Sequence, residues 1–298
     1  MALEQALQAP GARPAGRRWA LRGLLRFARK KPGGAVAALV LCLAILVALG
    51  ADRIAPHDPL EPAVVRRLSA PQPGFWMGSD SLGRDVLSRV IHGSRISLYV
   101  GTLSVLAGTA AGSLLGLVSA YLLGKFDLIV QRVVDSMQAF PDLVLALLLI
   151  TFLGSGVNQV IIAIAFVIAP ATSRVVRGAV LSVKENAYIE AARSIGVADL
   201  SIVFRHILPN VMAPILIVAS VWLGNAIVVE ATLSFLGLGA PPPAPTWGNM
   251  LSSGSLGHME DAPWLAIFPG LAISMVVLAF NIFGDALRDI WDPYLQGR

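Results

Sequence analysis

Few residues in this chain carry reactive chemistry, and they are scattered. His57, His92, His206 and His258 are too widely spread to give metal-ligand spacing. No G-x-S-x-G turn presents a serine nucleophile. Gly124-Lys125 is followed by Phe126, without the upstream glycine or the Ser/Thr that a phosphate-binding loop needs. The remaining candidates are polar groups within long apolar runs: Asp135, Gln138, Asn225, Glu230, Asn281 and Asp285. A carboxylate there is costly. It marks a solute pathway, an interhelical hydrogen bond, or a place where water reaches. Asp285 lies near the end of its run, which favours the last two. For Asp135 and Glu230 the readings stand level, and with Gln138 and Asn225 they are the candidate translocation-path residues. No set of nucleophile and base faces itself across the runs, so the chain is not expected to be an enzyme, nor to bind a metal or cofactor.

The elements that position these groups are built for lipid. Of 298 residues, 56 % are hydrophobic and 14 % charged, and the mean hydropathy is +0.72. Soluble domains carry about 25 % charged residues. A membrane span needs roughly 20 mostly apolar residues, and about six such runs occur near 33–51, 96–123, 130–153, 157–178, 208–237 and 264–288. The expected fold is therefore all-α and polytopic. The pI near 9.8 does not argue for nucleic acid. Eight cations crowd the first 31 residues (Arg13, Arg17, Arg18, Arg22, Arg26, Arg29, Lys30 and Lys31), beside an apolar run, where anionic lipid is the partner expected. Residues 1–32 thus read as a basic cytoplasmic tail with an interfacial helix, Arg18, Arg22, Arg26 and Arg29 sharing one side. Residues 33–298 read as the membrane domain. "ALGAD" at 48–52 resembles a signal-cleavage site, but the basic leader is long and further spans follow. The sole cysteine, Cys42, lies in an apolar run and gives no disulfide framework.

Charge bias places the leader in the cytoplasm, and six spans return the C-terminus there. The loop 238–263 has no Lys or Arg and falls outside; 179–207 falls inside. Against this, the long outer loop 52–95 carries Arg53, Arg66, Arg67, Arg84 and Arg89. Within the second span, Ser104, Gly108, Gly112, Gly116, Ala120 and Gly124 recur every fourth residue, a ridge on which helices in lipid approach closely. Pro141 and Pro170 fall inside the third and fourth spans, and Pro209 and Pro214 open the fifth. Each frees a backbone carbonyl and bends its helix.

One hydrophilic stretch, "ENAYIEAARSIGVADLSIVFRHILPN" at 185–210, stands out in this setting. Ser182 and Glu185 have capping-box spacing. Gly196 suits the left-handed position after a helix, and Asp199 can cap a second one. Tyr188, Ala191, Ala192 and Ile195 form a stripe at helical spacing. Such a helix either docks in a partner's groove or packs on its own spans; spacing leaves both open.

Glu190-Ala191-Ala192, Gly196 and Leu208-Pro209, at these separations, resemble the EAA loop of ABC-importer permeases. His206 departs from the general pattern, where an aliphatic is common. "RHILPN" at 205–210 is instead similar to the dipeptide, oligopeptide and nickel branch. So are "GSDSLGRDVLSRVIHGSRISL" at 78–98, "VDSMQAFPDL" at 134–143, "EATLSFLGLGAPPPAPTWGNML" at 230–251, "PWLAIFPGLAI" at 263–273 and "FNIFGDALRDIWDP" at 280–293. The resemblance runs from about residue 28 to 295 and is to the second, C-type permease. It implies a type I ABC importer permease fold in a bacterial cytoplasmic membrane. It implies a heterodimer with a sister permease, two ATP-binding subunits that hold ATP and Mg, and an extracytoplasmic substrate-binding protein. Tyr188, Glu190, Ala191, Ala192, Gly196, Asp199 and Pro209 would couple to an ATPase. Pro241 to Pro243 would stiffen an outer loop into an extended form that faces the binding protein or caps the path. The implied cargo is di- or oligopeptide, with nickel chelates or another small solute as alternatives. A secondary transporter or channel is the rival class, though no internal inverted repeat is evident.

Overall fold

The computed structural model describes residues 28–253 and 257–291. The described residues are helical, with no β-strand beyond isolated bridges in the segment 55–85. The expectations for the leader before residue 28 lie outside them. Helix α1 covers Pro32–Leu49 and the short α2 Ala51–Ile54. Helix α3, Val86–Leu122, has 37 residues. At 1.5 Å per residue it is about 55 Å long, well beyond the hydrocarbon thickness. It begins ten residues before the run visible in the sequence, because Asp85 caps it by accepting from the Ser88 amide at 3.0 Å and hydroxyl at 2.6 Å. Then come α4 (Gly124–Gln138), α5 (Asp142–Leu153), α6 (Val157–Lys184), α7 (Ala187–Ser194), α8 (Asp199–Ile202), a π turn (Val203–Ile207), α9 (Leu208–Phe235), α10 (Trp247–Ser253) and α11 (Trp264–Trp291).

Five helical stretches are long and apolar enough to cross a membrane. The expected third span is instead two helices, α4 and α5, meeting at 96°. The break falls at Pro141, which has no N–H and disfavours helical geometry in Phe140 before it. Contacts nevertheless show that the pair crosses the bundle. Asp127 of α4 lies against Arg177 near the α7 end, whereas Gly156 after α5 donates to Leu238 O at the opposite end. Lys31 and Asp289 pair at 2.5 Å. Asp289 belongs to the end of α11 beside the start of α9, so both described ends of the chain lie on the α7 side. Six passes follow.

The centre is the α3–α6 pair, with α9 across both; α11 and α1 pack beyond α9, and α4 and α5 against α6. The small-residue ridge makes the centre possible. A Cβ added at Gly108 would lie 2.7 Å from Ala165 O, and at Gly112 and Gly116 it would run into Ala169 O and Ser173 O. These partners also step by four, so two parallel helices touch backbone to backbone. Gly124 is not on this ridge: α3 has ended, and Leu123 and Gly124 both take positive φ in the turn to α4.

At the end opposite α7, three arginines of the segment 55–95 are tied to carboxylates, while Arg66 and Arg67 are exposed. Arg84 Nε donates to Asp80 at 2.6 Å, and Arg89 lies 3.6 Å from the same carboxylate. Arg95 donates to Asp52 at 3.0 Å, and its hydrogen bond and charge hold that exposed carboxyl below its ordinary pKa. The proline-rich loop is not the extended rod expected. It turns at Pro242-Pro243, where the peptide is cis, and then forms α10. Trp247 of α10 is buried and donates its indole N–H to Val90 O at 3.0 Å.

Candidate functional site

The α7 elbow is held from behind and open in front. Ile189 and Ala192 face inward and join Leu117, Val176, Val180 and Ile207 in an apolar cluster shared by α3, α6 and α9. Tyr188, Ala191 and Ile195 face outward, and Leu200 and Phe204 of the following segment are exposed too. Ile195 is 80 % exposed and Leu200 72 %. The stripe read from sequence therefore divides: Ala192 anchors the elbow, and the other three form its free face.

Two capping expectations are corrected. Ser182 is in the last turn of α6, because the apolar span runs on through Lys184, so no capping box forms. Asn186 holds the N-cap position of α7, its amide donating to Val183 O at 2.9 Å. Asp199 is the first residue of α8 rather than its cap, and its carboxylate accepts from the Tyr121 hydroxyl. Gly196 is as expected. Its φ is +76°, its N–H donates to Arg193 O at 2.9 Å, and Val197 N–H donates to Ala192 O at 3.1 Å. This is a Schellman closure, which satisfies carbonyls the helix end would orphan. The Glu190 carboxylate is exposed, with no hydrogen bond in the described chain.

Residues missed by sequence reasoning brace this elbow. Tyr121 ends α3. Lys184 Nζ lies 5.3 Å above its ring and the Arg193 guanidinium 5.6 Å from it. The same Lys184 donates to Tyr121 O at 2.7 Å. A second brace is the fork from Arg177 to Asp127, at 2.7 and 2.6 Å, with the Ser119 hydroxyl also donating to Asp127. A basic residue in one span facing an acid in an earlier amphipathic helix was the available signal, but pairing partners fifty residues apart are invisible without the fold. Asp127→Ala should leave Arg177, whose side chain is 30 % exposed, without its fork and lower stability by about 1 kcal/mol. A thermal melt of the purified chain in detergent checks this, and an unchanged Tm would show the fork to be inert.

Pro209 is the second residue of α9 and has no N–H to give. The turn before it widens, with Leu208 N–H donating to Val203 O five residues back, so Asp199 to Phe235 is one continuous rod. His206 is half-buried on that rod, its carbonyl accepting from the Asn210 amide at 2.6 Å.

The four path candidates are not gathered in one place. Asp135 pairs with Arg174 on the exposed side of α4 and α6, and Gln138 ends α4 nearby. Asn225 lines a cavity between α9 and α11 with Asn281. Glu230 is enclosed by its own chain. It is 1 % exposed within the chain itself, and Oε1 accepts from Ser234 at 2.7 Å. Ser234 lies where Gly239 and Gly248 press the loop of α10 onto α9, and Glu230 Oε2 is buried there without a hydrogen-bond partner among the described residues.

Three comparisons bear on this arrangement. Residues 112–296 match the family described as binding-protein-dependent transport system inner membrane component. The glutathione transport system permease protein GsiD of Pectobacterium atrosepticum is 45 % identical, covering 91 % of this chain and 90 % of its own length. Its counterpart in Escherichia coli O157:H7 is 43 % identical, over 90 % and 89 %. The MetNI methionine ABC transporter, in an inward-facing conformation, superposes with a TM-score of 0.56 at 19 % identity, over 68 % of this chain and 96 % of that chain. That likeness speaks for the fold: a type I importer permease. The chain therefore belongs to this family, as the membrane permease subunit of an ATP-binding-cassette importer of the dipeptide, oligopeptide and nickel branch, where hydrolysis is the work of partner subunits.

Proposed function

We propose that this permease pairs with a sister permease and passes di- and oligopeptides inward across a bacterial cytoplasmic membrane. The α7 elbow is the coupling element. The observation that carries this reading is the division of the elbow into a buried side and an exposed apolar side, Tyr188, Ala191 and Ile195, with Leu200 of α8 and Phe204 of the π turn exposed as well. An ATP-binding subunit closing on that face displaces it. The clamps to Tyr121 and the apolar cluster pass the displacement to α3, α6 and α9. Glu190 is free to meet a basic group at the ATPase, and Gly196 fixes the angle of the elbow. Family membership sets aside the secondary-transporter and channel readings.

The α7 side is assigned to the cytoplasm. Arg29, Lys30, Lys31, Lys125, Arg132 and Arg205 lie at that end or next to it. On the other side Arg84, Arg89 and Arg95 face Asp80 and Asp52, which leaves Arg53, Arg66 and Arg67 against the larger set of cations at the α7 end. Residues 1–32 form the tail and 33–298 the permease domain. The curated relatives are named for glutathione, itself a tripeptide, which supports small peptides as cargo. The test is uptake of radiolabelled glutathione, dialanine and trialanine by the whole importer in proteoliposomes, with ATP on the ATPase side. Peptide accumulation is expected. Uptake confined to a nickel chelate, with no peptide moved, overturns the peptide assignment.

A further inference from the structure

Asn225 and Asn281 stand level with each other near the middle of α9 and α11, because Gly224 lets the Asn281 side chain approach its backbone. Gly284 sits against Ser220 in the same way, 3.1 Å from Oγ to an added Cβ. Close approach of the two helices thus brings the two carboxamides together on one open face. They line a cavity of about 310 Å³ with Trp222, Val221, Val228 and Val277. Asn281 is exposed and Asn225 half-buried, and neither carboxamide is hydrogen-bonded within the described chain. A carboxamide bare to lipid tails is unfavourable, since nothing there can pair with it. This face is therefore turned to something polar.

We propose that Asn225 and Asn281 form a peptide-binding subsite of the translocation path, each carboxamide pairing with backbone amides of a peptide in transit. The proposal rests on the peptide reading above. A carboxamide donates and accepts at once, as a peptide group does, so the pair matches backbone whatever the side chains. It carries no charge, so it neither excludes nor traps peptides by their net charge. Trp222 and the valines supply the apolar wall usual for a small-ligand site, where a few polar groups set orientation. The site is half of a pocket, with the sister permease expected to close it. The other possible partner of two bare carboxamides is a helix of that sister, held by interhelical hydrogen bonds.

The test compares the complete importer with its Asn225→Leu/Asn281→Leu variant in proteoliposomes, using radiolabelled trialanine. Uptake is expected to fall about tenfold, the loss of two hydrogen bonds of ordinary strength. ATP hydrolysis stimulated by the loaded binding protein is expected to persist, so more ATP is used per peptide moved. Because Asn281 lies against Gly224, Asn225→Leu alone is the second variant. It should fold normally and lower uptake about threefold. Undiminished uptake in the double variant overturns the subsite. So does loss of the sister permease from the purified complex, which would make the pair interhelical glue. If the wild-type importer moves no peptide at all, the peptide reading falls and takes the subsite with it. That outcome is distinct from wild-type uptake that the variants leave intact.

Discussion

Gly112→Leu is expected to abolish recovery of a folded chain from detergent. The Gly112 Cα faces the Ala169 carbonyl with no room for a further carbon, and Thr172 Cβ would be 2.7 Å from it. Backbone cannot swing aside as a flexible side chain can, so α3 and α6 would have to separate along their whole parallel contact. Overpacking of this kind costs about 3 kcal/mol or more. In lipid no hydrophobic term compensates, because helix association rests on close packing itself. Size-exclusion chromatography of the solubilised chain reads the outcome as loss of the monodisperse peak. Gly178→Leu is the internal control. It lies on the partner helix α6, with nothing within 4 Å of an added Cβ, and should behave as the parent does. Equal recovery of the two variants would refute the ridge as the seam of the bundle.

Ile195→Asp is expected to disconnect ATP hydrolysis from uptake while leaving the permease folded. Ile195 is 80 % exposed, so a carboxylate there costs the free chain little. Once the ATP-binding subunit covers the face, the same carboxylate is desolvated without a partner, a penalty of about 3 kcal/mol or more, roughly a hundredfold in engagement. Peptide uptake should fall by about that factor, with the Tm unchanged and basal hydrolysis by the ATPases retained. Gly196→Val should act more mildly. Its Cβ would meet nothing within 4 Å, so the cost is the positive φ alone, about 1–2 kcal/mol. Wild-type uptake in Ile195→Asp would remove the elbow from the coupling path.

The sequence disclosed what depends on local pattern. Runs of apolar residues gave the six passes, spacing of four gave the seam, and Gly196 gave the elbow. It concealed what depends on where helices meet. The 96° break at Pro141 was readable as a kink but not as two helices, since proline is also found inside intact spans such as α6 at Pro170. Ala192 and Ala191 are adjacent and chemically identical, and only packing on Val176 and Val180 tells the anchor from the free face. Glu230 is conspicuous in the sequence because an acid in a span is rare, but its setting is not legible there. Its burial beside Ser234 depends on a loop folding back from the far end of the bundle. Tyr121, Asp127 and Arg177 were overlooked for the same reason, their partners lying 78 and 50 residues away.

The wide turn at Val203–Ile207 has a consequence for azimuth. A π turn holds one residue more than the α turn it replaces, and one residue corresponds to about 100° of rotation about the axis. Everything after Leu208, including the side of α9 bearing Asn225, is dialled by that amount relative to Leu200 and Phe204. Removing a single residue between 203 and 207 would restore ordinary winding and keep the rod nearly the same length. It would also point the two surfaces along different compass bearings, so a partner seated on one would find the other facing the wrong neighbour.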